Sequence, residues 1–156
     1  MSTYTNDEIK AIVSAPMNVG MAIALVDMGI ISTAIEAAAM TKAIAGAAKE
    51  YPNNSIIQAA FSEESLKQTK IDKPDVDPEG INSGAYIDQA IAEAQNVIAQ
   101  LTDKAPESEV AEYKQFIYDC GETVAQAAGS GLFGTGAKVS EAEAATLTKL
   151  KTALAI

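Results

Sequence analysis

The stretch 110–127, Val110-Ala-Glu-Tyr-Lys-Gln-Phe-Ile-Tyr-Asp-Cys-Gly-Glu-Thr-Val-Ala-Gln-Ala127, decides the fold class. Val110, Tyr113, Ile117, Cys120, Val124 and Ala127 recur at steps of three and four, and the acids and lysine fall elsewhere. That spacing puts the apolar set on one face of a helix; a half-buried strand would alternate instead. The same pattern appears just upstream in Ile87, Ala90, Ile91, Ala94, Ile98 and Leu101, with Lys104-Ala-Pro106 between the two helices. Downstream, Gly129 stops the 110–127 helix, a Gly-rich loop runs to Val139, and Ser140 with Glu143 forms a capping box. The helix opened there points Leu147, Leu150 and Leu154 inward.

Working back to the N-terminus, Thr5 and Glu8 form another capping box, so a helix begins at Asn6 and carries Ile9, Ile12 and Val13 on one face. Pro16 is expected to end or kink it, because proline lacks the N–H that an interior turn needs. A second helix then runs from about Pro16 to Val26 with Ser14 as its cap, and a third from about Ile31 to Lys49 after a corner at Met28-Gly29. Tyr51-Pro52-Asn53-Asn54 closes the third, and Asn54 opens a fourth that reaches about Gln68. From Ala11 to Ala48 only Asp27, Glu36 and Lys42 are charged, which places this region at the centre of the fold. No segment shows sustained strand alternation, and there is no repeat of solenoid length. The sequence therefore predicts an all-α protein, a single domain over 1–156 built as an irregular or orthogonal bundle of about six to seven helices.

Composition narrows the function. Apolar residues make up 48% of the chain but aromatics only 5%, so the core must come from closely approaching helices rich in alanine. The net charge is −10, every basic residue is lysine, and histidine is absent. Without arginine there is no planar fork for phosphates or guanine edges, and without histidine the usual general base and metal ligand is gone. An acidic chain also lacks the positive field that nucleic acid requires, so no nucleic-acid partner is expected. The sixteen uncharged residues between Lys10 and Asp27 include Ser14, Pro16, Asn18 and Gly20, which makes them too few and too polar for a membrane span. The start, Met-Ser-Thr-Tyr-Thr-Asn-Asp-Glu8, has neither the charge nor the apolar run of a signal peptide, and a cytoplasmic location is the expectation.

Several motifs invite a chemical reading. Asp75-Val-Asp77-Pro-Glu79-Gly80 resembles the first half of a calcium loop, with oxygen ligands on alternate residues before a glycine turn. Tyr86 stands where the bidentate glutamate belongs, so Asp75, Asp77 and Glu79 are expected to hold a cation weakly if at all. Gly129-Ser-Gly131-Leu-Phe-Gly134 has the letters of the dinucleotide fingerprint, but a helix precedes it where a strand is needed. In the overlapping imitation of a Walker loop, Ala137 occupies the lysine position. Cofactors are therefore not expected. Leu132 and Phe133, large apolar residues among glycines, suit a loop that plugs its own core, or else a lid over a ligand. Asp27 and Glu36 are candidate buried carboxylates whose pKa burial would raise, but neither has an evident catalytic partner. Cys120 cannot form an internal disulfide and lies on an apolar stripe, where a free cysteine acts as a small hydrophobe.

The segment from Glu107 to Ile156 resembles the C-terminal part of small bacterial helical proteins of uncharacterised function. The likeness rests on Val110-Ala-Glu-Tyr-Lys-Gln-Phe-Ile117, Val124-Ala-Gln-Ala-Ala128, Gly131-Leu-Phe-Gly-Thr-Gly136 and the helix start Val139-Ser-x-x-Glu143. It implies a helical fold and brings no activity with it. A fainter likeness to TerB-like tellurite-resistance domains rests on an alanine-rich helix leading through a loop into a capped helix. Gly134, Thr135 and Gly136 stand where those domains carry metal-binding acids, so metal binding does not follow. These readings together favour a non-catalytic helical protein acting through protein contacts, as a homodimer or with another protein. The rival is a small-molecule binder or a carboxylate- and lysine-dependent enzyme with an apolar cavity between the second and third helices.

Overall fold

A computed structural model describes residues 3–26, 30–70, 84–129 and 139–156, without the side chains of 30–36, 128 and 129. Among the described residues there are seven helices and no strand: α1 (Asn6–Ala24), α2 (Ile30–Glu50), α3 (Ser55–Phe61), α4 (Glu63–Gln68), α5 (Ala85–Thr102), α6 (Glu107–Gly129) and α7 (Glu141–Leu154). The protein is all-α, as the periodicities predict.

Both capping boxes form. The Thr5 hydroxyl accepts from the Glu8 N–H at 3.2 Å, and the Glu8 carboxylate accepts from the Thr5 N–H at 2.8 Å. Ser140 and Glu143 exchange the same pair of bonds at 3.1 and 2.9 Å, which satisfies two N–H groups that the start of α7 would otherwise leave orphaned.

Pro16 neither ends the first helix nor opens a second. α1 runs through it without interruption, and Pro16 is buried. A proline inside a helix removes the donor for the carbonyl four residues earlier, here Ile12. The Tyr113 hydroxyl on α6 replaces that donor, reaching the Ile12 carbonyl oxygen at 2.7 Å in the buried interior. The expected fourth helix is also two. Ser62 adopts extended backbone (φ −62°, ψ 151°), and its side chain caps α4 by accepting from the Ser65 N–H at 3.4 Å. Glu63 and Glu64 then occupy the first turn, where negative charge suits the helix N-terminus.

α6 lies against α1, α2, α3, α5 and α7. Its buried face is broader than the predicted stripe, because Phe116 and Ala125 are buried alongside Tyr113, Ile117, Cys120 and Val124. Phe116 meets Phe61 edge-on at 5.1 Å and Tyr51 at 6.0 Å, so these three rings join the end of α2, α3 and α6. Apart from Tyr4 and Tyr113, the rest of the core is mostly aliphatic and small: Ala15, Ala22, Ala47, Ala60, Ala90, Ala94 and Ala125 are buried between isoleucines, valines and leucines. Close approach is tightest at Gly20, where a Cβ would stand 2.0 Å from Met40 Cε, and next at Gly121, where it would stand 2.6 Å from Ile23 Cδ1. The helix pair α1–α6 thus forms the centre, and α2 flanks it. Although nearly uncharged, α2 exposes Ala37, Ala38, Thr41, Lys42, Ala45, Lys49 and Glu50 along its outer side.

Candidate functional site

Most residues singled out by sequence lie beyond the described structure. Asp27, Asp75, Asp77, Glu79, Leu132 and Phe133 are outside the described residues, and Glu36 is within α2 but its side chain is not described. Among the described residues, no group of three or more histidine, cysteine or acidic side chains is placed to hold a metal ion. Likewise, among the described residues no helix is long and apolar enough to cross a membrane.

The polar chemistry that the fold does bring together centres on Asn54. This residue is fully buried and spends its whole amide. Its Oδ1 accepts from the Ile57 N–H at 3.0 Å, capping α3, while Nδ2 donates to the Glu109 carbonyl and to Glu112 Oε2, each at 2.9 Å. Next to it, Glu109 Oε2 accepts from the Ser55 N–H at 2.9 Å and also from the Ser55 hydroxyl. Tyr4 is packed nearby; burial raises its phenol pKa, and its hydrogen bond to Ser55 works in the opposite direction. A serine beside a carboxylate has the outline of an activated nucleophile. Here, however, the same carboxylate oxygen is also bonded to the backbone at the start of α3, so the arrangement clamps α3 onto the first turns of α6. Sequence showed Asn54 at the opening of a helix; its two bonds to α6 had no local signal.

A second cluster lies at the end of α2. The Tyr51 hydroxyl approaches Asp119 Oδ2 at 3.5 Å, and Gln115 Nε2 donates to Asp119 Oδ1 at 2.7 Å. Burial, reinforced by the Asp119 charge, pushes the Tyr51 phenol up to about 12. Cys120 is buried, and its thiol is raised far above the ordinary range, first by burial and then by Asp119 and Glu50. The thiolate is the reactive form, so Cys120 of the folded protein should label no faster than the protein opens. Adding a chromogenic disulfide reagent with and without denaturant checks this, and stoichiometric labelling of the native protein within seconds would contradict it.

At the start of α1, the Lys104 ammonium beside Glu8, helped by the Thr5 N–H, holds the Glu8 carboxyl down from 4.5 to about 2. Its folded value is depressed, so its contribution to stability is present above pH 4.5 and is lost as pH falls through about 2. Lys104→Ala should move the Glu8 carboxyl resonance midpoint upward, toward its ordinary value, in an NMR titration. An unmoved midpoint would show that the Thr5 N–H suffices.

The described surface carries grooves of differing size. One, with a volume of about 410 Å³, runs between the first turns of α1 and the end of α4, past Asn6, Lys10, Ser65 and Lys70. Another of about 180 Å³ lies between α1 and α5, bordered by Ser14, Glu93 and Asn96. A space of about 20 Å³ borders Tyr86, whose hydroxyl is buried with no hydrogen-bond partner among the described residues; the space has room for a single water.

Fold and clusters together define a small acidic all-α bundle whose described polar networks hold helices to one another. Compared with family models, curated proteins and solved structures, the chain matches none.

Proposed function

We propose that the protein is a non-catalytic, cytoplasmic helical protein that acts through protein contacts, and that the outer side of α2 is the contact surface, taken first by a second copy of the chain. The observation carrying this reading is the composition of that face. Ala38, Ala45 and the half-buried Gly46 leave it low, and a Cβ on Gly46 would meet nothing within 4 Å. Small side chains let a second helix approach closely. Lys42 and Lys49 rise from the same face and make no ion pair among the described residues. A two-fold contact must be self-complementary. Lys42 and Glu50 lie symmetrically about Gly46, four residues to either side, so an antiparallel copy centred on Gly46 sets each lysine opposite the other copy's glutamate.

Light scattering coupled to size exclusion tests this. The expected mass is twice 16.2 kDa, falling to 16.2 kDa for Ala45→Glu with helical circular dichroism unchanged. A mass of 16.2 kDa for the unsubstituted protein across a wide concentration range would overturn the homodimer. Native mass spectrometry of the same sample addresses the rival reading: a small molecule retained in stoichiometric amount would favour a ligand-binding protein.

A further inference from the structure

No further inference is drawn: the strongest candidate, the groove of about 410 Å³ between the start of α1 and the end of α4, sets Asp7 among its lysines and has Lys10 already engaged, and nothing in the structure shows what covers it.

Discussion

Tyr113→Phe is expected to destabilise the protein by about 1–3 kcal/mol, the cost of leaving a buried carbonyl without its donor. The ring itself is fully buried, and phenylalanine keeps its packing, so the change isolates the hydroxyl. What makes the hydroxyl necessary is Pro16, which cannot supply the N–H that Ile12 would receive in an ordinary helix. The two residues should therefore be coupled. Pro16→Ala restores a backbone donor to the Ile12 carbonyl, and in that background Tyr113→Phe should cost at least about 1 kcal/mol less, within the range seen for residues sharing one partner. Urea unfolding of the four proteins in the cycle gives the coupling directly. Equal costs of Tyr113→Phe with and without Pro16 would mean that the hydroxyl does not substitute for the missing N–H.

The Pro16 pairing also shows where sequence reading stops. Thr5–Glu8 and Ser140–Glu143 were readable because each capping box is complete within four residues. The compensation at Pro16 was not, because its donor is 101 residues away from the carbonyl it serves. The division of the 54–68 segment had a local signal in Ser62-Glu63-Glu64, a cap followed by acids, which the apolar run through Phe61 obscures. The exposed outer side of α2 was not legible for another reason. Alanine gains little from burial, so an alanine-rich helix reads as apolar all round even when one side faces water, as Ala37, Ala38 and Ala45 do. On α6, Phe116 stands three residues after Tyr113 and four before Cys120, so the spacing admits it, but the predicted stripe took only its neighbour Ile117; a helix packed by several neighbours buries both. The candidate sites followed loops, Asp75 to Glu79 and Leu132-Phe133, whereas the clusters that the structure describes are assembled from helices far apart in sequence.

Asn54 is where such an assembly should be most costly to disturb. Asn54→Ala removes a helix cap, typically about 1–2 kcal/mol, and also strips the Glu109 carbonyl of a buried donor, so a total of roughly 2–4 kcal/mol is expected. Against the roughly 5–15 kcal/mol that holds a domain folded, this is a substantial fraction. Two further substitutions separate the parts. Asn54→Ser can still cap the Ile57 N–H but loses the reach to α6, and should fall between the unsubstituted protein and Asn54→Ala. Asn54→Asp keeps both the shape and the cap, yet it replaces the Nδ2 donor with an oxygen 2.9 Å from Glu112 Oε2 and from the Glu109 carbonyl. Two facing carboxylates raise each other's pKa. A folded-state pKa above the unfolded one means that stability is recovered as pH falls and the pair takes up a proton. Asn54→Asp should therefore be less stable than Asn54→Ser at pH 7 and approach it near pH 4, with thermal melts at both pH values as the readout. If the gap between them is the same at both pH values, the donor side of Asn54 does not hold α3 to α6.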